Sequence, residues 1–377
     1  MKAARRILGF TGAIAIVMAL AAAPLRAQDV VKIGFASPLT GGQASYGKDN
    51  QNGAQLAIDE LNAQRRTIGG RTVKFELIVE DDQADPKMGP LIAQKLVDER
   101  VAGVVGHFNS GVTIPASKVY NDAGIPQLSV STNLKYTMQG YRTAFRLMTD
   151  DGKQGKALGE YAVRTLKFKR LAVIDDGTAY GQGLADEFVR AVKAAGGEVV
   201  RREHTSDKAV EFASLLTAIK ARNPDAIFFG GYDQQAAPMA RQMQALGLKI
   251  KLMGGETMNS AKFIELAGPA AEGQIASTPG AALASRPAGK AFADKYQARY
   301  KQDVGLYAPY FYDGVMLIAA AMKAADSADP KKYLPSLAEI KYAGITADIG
   351  FDGKGDLING LLTIFEVKNG KWQVISK

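Results

Sequence analysis

The 377-residue chain contains no cysteine, and this absence removes several kinds of chemistry at once. Disulfide bonds, thiol nucleophiles and cysteine-ligated metals are excluded, and so is the lipid anchor that bacterial lipoproteins carry on a cysteine. Histidine occurs only at His107 and His204, which leaves few histidine-based mechanisms. The sequence therefore predicts a fold that is held together by its hydrophobic core, with no catalytic residues, no metal and no cofactor.

The first 27 residues have the composition of a secretory signal peptide. Lys2, Arg5 and Arg6 form a basic start, residues 7–23 are apolar and uncharged, and Ala27 is a small residue of the kind that signal peptidase prefers. We expect cleavage near Ala27 and a periplasmic location, because the exported chain has no cysteine for a lipid anchor. The alternative is an uncleaved membrane anchor, although a membrane span needs about 20 apolar residues.

The charge of the remaining chain is only mildly basic. Four of the 47 basic residues and none of the 38 acidic residues lie in residues 1–27, so 43 basic and 38 acidic residues remain, a formal charge of +5. No dense Lys/Arg run with interleaved aromatic residues occurs, so nucleic acid is not an expected partner. About 350 residues exceed one comfortable hydrophobic core, and we therefore expect two domains.

Short β-rich runs alternate with amphipathic stretches, which is typical of parallel sheets that helices cover on both faces. In the first part of the chain, strands are predicted at 30–35, 73–79, 101–106 and 126–130, and helices at 53–64, 91–100 and 112–121. The alternation then restarts, with strands predicted at 170–174, 199–200, 226–229 and 251–253, and helices at 183–195, 212–222 and 238–246. The tail is predicted to contain helices at 287–300 and 310–325 and strands at 361–367 and 372–375.

These elements predict an α/β protein with two doubly wound parallel-sheet lobes joined by a multi-strand hinge. The tail of helices followed by strands indicates that the chain returns to each lobe, so that several segments cross between them. We predict an N-terminal lobe of residues 28–149 plus 280–348 and a C-terminal lobe of residues 150–279 plus 349–377. A monomer is the expected state of such a two-lobed protein.

A series of motifs runs through nearly the whole chain in a fixed order. They are KIGFASPLTGGQASYG (32–47), GAQLAIDELNA (53–63), EDDQADPK (80–87), GHFNSGVTIPAS (106–117), DDGTAYGQGLAD (175–186), FFGGYDQQ (228–235), MGGE (253–256) and FDGKGDL (351–357). In these motifs the chain resembles the type I periplasmic binding proteins of ABC importers, in the branched-chain amino-acid (Leu/Ile/Val) group. The resemblance implies a Venus-flytrap protein that binds a small amino acid and delivers it to the permease subunits of an ABC transporter.

Two polar loops follow predicted strands of the first lobe. Ser110 lies between a buried strand and a helix, where a hydroxyl and free backbone N–H groups suit a carboxylate. Alternatively, Ser110 serves only as the N-cap of that helix. Ser131 and Thr132 lie at the carboxyl end of a strand, where open α/β sheets bind ligands. The resemblance implies that this loop gives the ligand a backbone carbonyl and a threonine hydroxyl; the alternative is an ordinary polar loop.

In the second lobe, the resemblance implies that Glu256 pairs with the α-ammonium of the ligand. A buried ammonium requires such a compensating charge, because burying it unpaired is costly. Tyr46, Tyr180 and Tyr232 are expected in glycine-flanked loops after strands, where they can cover the ligand, although aromatic residues also serve simply as packing. Asp233 is a candidate contact for a polar ligand tail.

Several alternatives stay open. The family's paired cysteines are absent, and Phe108, Asn109 and Asp233 are expected to shape the side-chain pocket, so the ligand could also be an amide, a γ-amino acid or an aromatic acid. A sensor that presents its ligand to a receptor would have the same fold. An enzyme is a further alternative, but the nearest dinucleotide fingerprint, Gly181-Gln182-Gly183, lacks the third glycine.

Overall fold

The computed structural model describes residues 29–280 and 283–376. The predicted signal peptide and its cleavage near Ala27 lie outside these residues. The strands are β1 (Asp29–Ser37), β2 (Thr67–Ile68), β3 (Arg71–Asp81), β4 (Val104–Gly106), β5 (Gln127–Ser129), β6 (Ala144–Arg146), β7 (Arg170–Asp175), β8 (Glu198–His204), β9 (Ala226–Gly230), β10 (Lys251–Gly254), β11 (Ile275–Pro279), β12 (Tyr342–Ala343), β13 (Asp348–Ile349), β14 (Leu362–Lys368) and β15 (Lys371–Ser376).

The helices alternate with these strands along most of the chain. They are α1 (Ala44–Ala63), α2 (Met88–Asp98), α3 (Ser110–Ala123), α4 (Lys135–Met138), α5 (Asp151–Glu160), α6 (Ala179–Ala194), α7 (Ala213–Lys220), α8 (Asp233–Ala245), α9 (Ala261–Ala267), α10 (Pro287–Tyr300), α11 (Ala308–Ala324) and α12 (Pro330–Ala338). In the part of the chain that the structure describes, no helix is both long and apolar enough to cross a membrane.

The first sheet has six strands in the order β2-β3-β1-β4-β5-β6, and all neighbours are parallel except β2 and β3. Strand β1 is buried on both faces. Ile33 and Phe35 belong to the core that includes α1 and α11, whereas Ala36 belongs to a separate core with α2 and α3. Because successive side chains of a strand point to opposite faces, this run of apolar residues supports helices on both sides.

The second sheet has seven strands in the order β15-β14-β11-β10-β9-β7-β8. The five strands from β11 to β8 in this order are parallel, and β14 and β15 are added as an antiparallel edge. In both sheets the strand order reverses beside the first strand of the lobe, between β1 and β4 and between β7 and β9. Ligands of open α/β sheets bind at such switch points. The predicted fold class of two doubly wound α/β lobes is confirmed.

Three chain segments cross between the lobes and are hydrogen-bonded to each other. The Thr149 hydroxyl donates to the Leu361 carbonyl over 2.6 Å, and the Gly280 N–H donates to the same carbonyl over 2.8 Å. The Thr363 hydroxyl in turn donates to the Gly280 carbonyl over 3.0 Å. The three crossings therefore lie side by side, as expected for the hinge of a two-lobed protein.

We infer a last crossing that lies later in the chain than the predicted end of the N-terminal lobe at residue 348. The Arg146 N–H on β6 donates to the Gly355 carbonyl over 2.8 Å, and the Arg146 guanidinium pairs with Asp356 at 2.8 Å. The ring of Phe351 packs on Phe145 of the same strand. Residues 351–356 thus pack on the first sheet, and the division into lobes that we infer places the crossing at 358–361.

Several helices begin earlier than their apolar periodicity predicts. Helix α1 begins at Ala44 instead of residue 53, α6 at Ala179 instead of 183, and α8 at Asp233 instead of 238. In each case the first turns carry polar residues or glycine, so the hydrophobic pattern starts only where the helix meets the core. Strands β6 and β11 were not predicted. They contain only three and five residues, and such short runs show little periodicity.

Gly53 marks the closest approach of α1 to α11. A Cβ atom there would lie 2.1 Å from the Ala308 backbone oxygen, so Gly53→Ala must push the two helices apart. We expect the variant to lose about 1–3 kcal/mol of unfolding free energy, as for other overpacked sites. Equilibrium urea unfolding measures this loss. Gly353→Ala is the matched control, because a Cβ atom there meets nothing within 4 Å; equal stabilities of the two variants would contradict the prediction.

Candidate functional site

Two loops at the carboxyl ends of β4 and β5 bring three predicted hydroxyl residues together. Ser110 is the first residue of α3, and Ser131 and Thr132 follow β5. The Ser131 hydroxyl donates to the Ser110 hydroxyl over 3.0 Å, and all three residues are buried. Asn109 holds the N-cap position, so Ser110 is not merely the cap. Because the first N–H groups of a helix lack partners within it, the start of α3 offers donors to an anion.

Arg146, which the sequence analysis missed, supports the loop that carries Ser131. It is completely buried on β6. Its Nη1 donates to the carbonyls of Ser131 and Asn133, its Nη2 donates to the Thr137 hydroxyl over 2.7 Å, and its Nε pairs with Asp356. This fork of donors positions the loop at the switch point of the first sheet, and its charge is already balanced within the lobe.

Glu256 lies just after β10, at the carboxyl edge of the second sheet, and is buried. Its Oε2 accepts hydrogen bonds from Gln154 Nε2 at 2.6 Å and from the Tyr180 hydroxyl at 2.9 Å. The Tyr180 hydroxyl also lies 3.1 Å from the Thr257 hydroxyl, which fixes the ring beside Glu256. Burial raises the pKa of the Glu256 carboxyl above its ordinary value.

Asp151 is a second buried carboxylate in the same place. It begins α5, directly after the first crossing. No donor among the described residues lies within 3.5 Å of either of its side-chain oxygens, although the nearby Thr132 hydroxyl partly offsets the rise in its pKa. Burial first, and the charge of Glu256 second, raise the pKa of Asp151 well above its ordinary value. In residues 29–280 and 283–376, neither carboxylate forms an ion pair with a lysine or arginine. The two carboxylates therefore lack a basic partner among the described residues.

The sequence analysis also missed Asp151 and Gln154. Both lie on the first turn of α5, one helical turn apart, after a strand that was itself not predicted. The polar run 149–154 was the available signal. Without the position of β6, however, nothing indicated that this run starts a helix at the crossing between the lobes.

The two lobes contact each other through predicted site residues. Asn109 Nδ2 of the first lobe donates to the Tyr232 hydroxyl of the second over 2.8 Å. The Tyr46 hydroxyl donates to the Thr257 carbonyl over 3.2 Å. These contacts join opposite walls of the cleft, so the structure represents a closed arrangement of the lobes.

The three predicted tyrosines do not all lie in loops. Tyr46 lies in the first turn of α1 and Tyr180 in the first turn of α6, whereas Tyr232 holds the N-cap position of α8. The loop prediction was wrong for Tyr46 and Tyr180, because their helices begin before the apolar periodicity does. Helix placement fixes the direction of each ring more firmly than a loop would.

Aromatic rings line both sides of the cleft. Tyr46 stacks on Phe108 with ring centroids 5.4 Å apart, and Phe108 meets the edge of Tyr307 at 4.7 Å. Tyr180 and Tyr232 pack together at 5.5 Å. Tyr307, just before α11, was not predicted as a site residue, because it comes from the C-terminal part of the chain that returns to the first lobe.

Asp233 begins α8, directly after Tyr232, and is buried. Its Oδ2 accepts a hydrogen bond from the Ser260 hydroxyl at 2.6 Å, and burial raises the pKa of its carboxyl. Asp233, Glu256, Tyr46 and Tyr307 line one cavity of about 570 Å³ between the lobes. The structure thus joins the predicted charge partner Glu256 and the predicted tail contact Asp233 in a single space.

The glycines of the weak dinucleotide fingerprint have a packing role. A Cβ atom at Gly181 would lie 2.4 Å from the Gly230 carbonyl, so a glycine lets α6 approach β9. The described residues contain no group of three or more His, Asp or Glu side chains placed to hold a metal ion.

Comparison with known proteins agrees with this geometry. Residues 30–371 match the family described as periplasmic binding protein. The leucine-, isoleucine-, valine-, threonine- and alanine-binding protein of Pseudomonas aeruginosa is 33% identical over 341 residues, which cover 90% of each chain.

Two solved structures have the same fold over almost their whole length. The leucine binding protein LivK from Thermotoga maritima has a TM-score of 0.85 at 26% identity, covering 92% of this chain and 98% of that one. The branched-chain amino acid transporter substrate binding protein LivJ from Streptococcus pneumoniae, in complex with isoleucine, has a TM-score of 0.82 at 27% identity, covering 93% of this chain and 100% of that one. Together with the two-lobed fold and the site between the lobes, these matches show that the chain belongs to the periplasmic binding protein family, whose members bind solutes rather than catalyse reactions.

Proposed function

We propose that this protein is the periplasmic substrate-binding component of an ABC transporter and captures a small amino acid, as its branched-chain-binding relatives do. In this proposal residues 1–27 are a signal peptide that is cleaved near Ala27. The protein then works as a monomer and hands its ligand to the permease subunits. Ser110, Ser131, Thr132, Tyr46, Tyr180, Tyr232, Asp233 and Glu256 contact the ligand, and Asp151 joins them.

The carrying observation is the charge pattern of the cleft. Two buried carboxylates, Glu256 and Asp151, have no cationic partner, and the start of α3 at Ser110 offers N–H donors. An α-amino acid carries an ammonium and a carboxylate on the same carbon atom, so one zwitterion complements both features. Burial of the ammonium beside carboxylates offsets the cost of removing it from water.

Ligand binding and lobe closure are coupled in this mechanism. The ligand first docks on the first lobe at Ser110 and Thr132, because both residues follow neighbouring strands of the same sheet. Closure then brings Tyr180 and Glu256 onto the ammonium and forms the contact between Asn109 and Tyr232. The ligand touches both lobes only in the closed form, so its binding energy shifts the population toward that form.

The test is a thermal-shift screen of the ligand-stripped protein, residues 28–377, against the standard amino acids, common amides, γ-aminobutyrate and benzoate. A ligand that binds only the folded state raises the melting temperature. At a concentration of 100 times its Kd, it adds about 2.7 kcal/mol to the unfolding free energy. A rise with one or more α-amino acids supports the proposal. A rise confined to amides, γ-aminobutyrate or benzoate contradicts it.

Amino-acid affinity is expected to fall as the pH is lowered through the raised pKa values of Glu256 and Asp151. The pKa values of Glu256 and Asp151 are raised, so the ligand-free folded state holds protons there more tightly than the unfolded chain does. The ligand-free folded state loses stability as the pH rises above the ordinary pKa values, 3.8 for Asp151 and 4.5 for Glu256. The ligand ammonium restores that stability by pairing with the two ionised carboxylates. Calorimetry in two buffers of different ionisation enthalpy measures the protons that binding releases. Proton uptake on binding would contradict this prediction.

A further inference from the structure

The cavity between the lobes extends well beyond the space around Glu256. Its volume of about 570 Å³ lies within the range that holds drug-sized ligands, and it reaches from Glu256 and Asp233 to the hinge residue Gly280. The four-carbon side chain of leucine would leave much of this space unfilled. The cavity therefore has room for a longer ligand side chain.

The charged residues that line the cavity are mostly acidic. Four carboxylates line it, those of Asp49, Asp233, Glu256 and Asp303, whereas Lys262 is the one basic residue among the described residues of the wall. Lys262 pairs with Glu265 on the surface at 2.9 Å. These carboxylates attract hydrogen-bond donors and cations to the cavity.

Asp233 is the wall carboxylate with an unused acceptor. Asp49 accepts three hydrogen bonds, from the Tyr296 hydroxyl and the N–H groups of Gly305 and Ala308. Asp233 is only 2% exposed, and Ser260 binds its Oδ2. In the part of the chain that the structure describes, no donor lies within 3.5 Å of its Oδ1, and the nearby Tyr46 hydroxyl only partly offsets the rise that burial causes in the pKa of this carboxyl.

The Tyr307 hydroxyl on the same wall is likewise buried without a partner. Leaving such groups unsatisfied is costly, so a ligand that supplies the missing hydrogen bonds gains affinity over one that does not. The neighbouring rings of Tyr46 and Phe108 leave the aliphatic part of a side chain in an apolar environment.

We propose that Asp233 makes this protein prefer amino acids whose side chain ends in a hydrogen-bond donor, a hydroxyl, amide or ammonium group, over leucine, isoleucine and valine. In the bound state the donor reaches Asp233 Oδ1, while the Tyr307 hydroxyl binds the acceptor of a neutral tail. This inference rests on the proposed function, because it places the α-ammonium at Glu256 and the tail toward Asp233.

The test is calorimetric titration of the ligand-stripped protein with leucine, threonine, glutamine and lysine. The wild-type protein is expected to bind at least one of the three polar amino acids about tenfold or more tightly than leucine, since a site built around a hydrogen bond discriminates against a ligand without the donor. Asp233→Leu is expected to remove or reverse this preference. Asp186→Asn, a change of an exposed carboxylate on the same lobe, is expected to keep it.

Asp233→Asn preserves the shape of the side chain, so it provides the same test if Asp233→Leu does not fold. It is expected to weaken a lysine-like ligand and to retain a neutral one, because an amide still accepts but carries no charge. Wild-type protein that binds leucine most tightly, with the same ranking in both Asp233 variants, overturns the inference and leaves the proposed function standing. Wild-type protein that binds no amino acid overturns both.

Discussion

Glu256→Gln is expected to weaken amino-acid binding by about 30-fold or more, because truncating one partner of a buried charge pair costs about 2–5 kcal/mol. The amide keeps the shape and can still contact Tyr180 and Gln154, but it cannot neutralise the ligand ammonium. Calorimetric titration with the amino acid that gives the largest thermal shift measures this loss.

The same variant is expected to fold at least as stably as the wild type at neutral pH when no ligand is present. The raised pKa of Glu256 means that its ionised form disfavours the folded state, and a neutral amide removes that cost. Glu265→Gln is the control, since its carboxylate is exposed on the same lobe. Unchanged affinity in Glu256→Gln would remove this residue from the site.

Arg146→Met is expected to lower the unfolding free energy by about 3–5 kcal/mol, the range found when one partner of a buried ion pair is removed. The change leaves Asp356 without its charge partner and removes donors from the carbonyls of Ser131 and Asn133. Because the affected loop carries part of the proposed ligand site, amino-acid affinity is expected to fall as well.

Equilibrium urea unfolding measures the stability of this variant. Arg164→Met is the control, because Arg164 forms an exposed pair with Glu160 on α5, and such pairs contribute about 0–1 kcal/mol. If both variants lost less than about 1 kcal/mol, Arg146 would not support the loop as described here.

The fold was largely predictable because parallel strands and their covering helices have strong local patterns. The apolar run of β1 and the apolar face of α1 after Gly53 can each be recognised from a short stretch of consecutive residues. The first turns of α1, α6 and α8 are not, because ligand-facing positions carry tyrosine, glycine and aspartate instead of core residues. Hydrophobic periodicity therefore failed to predict the N-terminal turns of these helices, which carry residues of the candidate site.

The candidate site was predictable where a residue follows a strand directly, as Ser110 and Glu256 do. It was not predictable where two segments meet across the fold. Arg146 and Asp356 are 210 positions apart, and neither residue has a local feature that indicates its partner. Asp151 and Tyr307 were missed for the same reason, since each reaches the cleft only through a crossing between the lobes.

The three crossings also limit how early each lobe can finish folding during synthesis. Thr149 and Leu361 are hydrogen-bonded across 212 positions, and the edge of β11 stays unpaired until β14 has been synthesised. Neither lobe can complete its core while the ribosome is still translating the middle of the message, and such distant contacts slow folding. A nonsense mutation near codon 340 would consequently remove parts of both lobes, whereas in a protein built from consecutive domains it would spare the first.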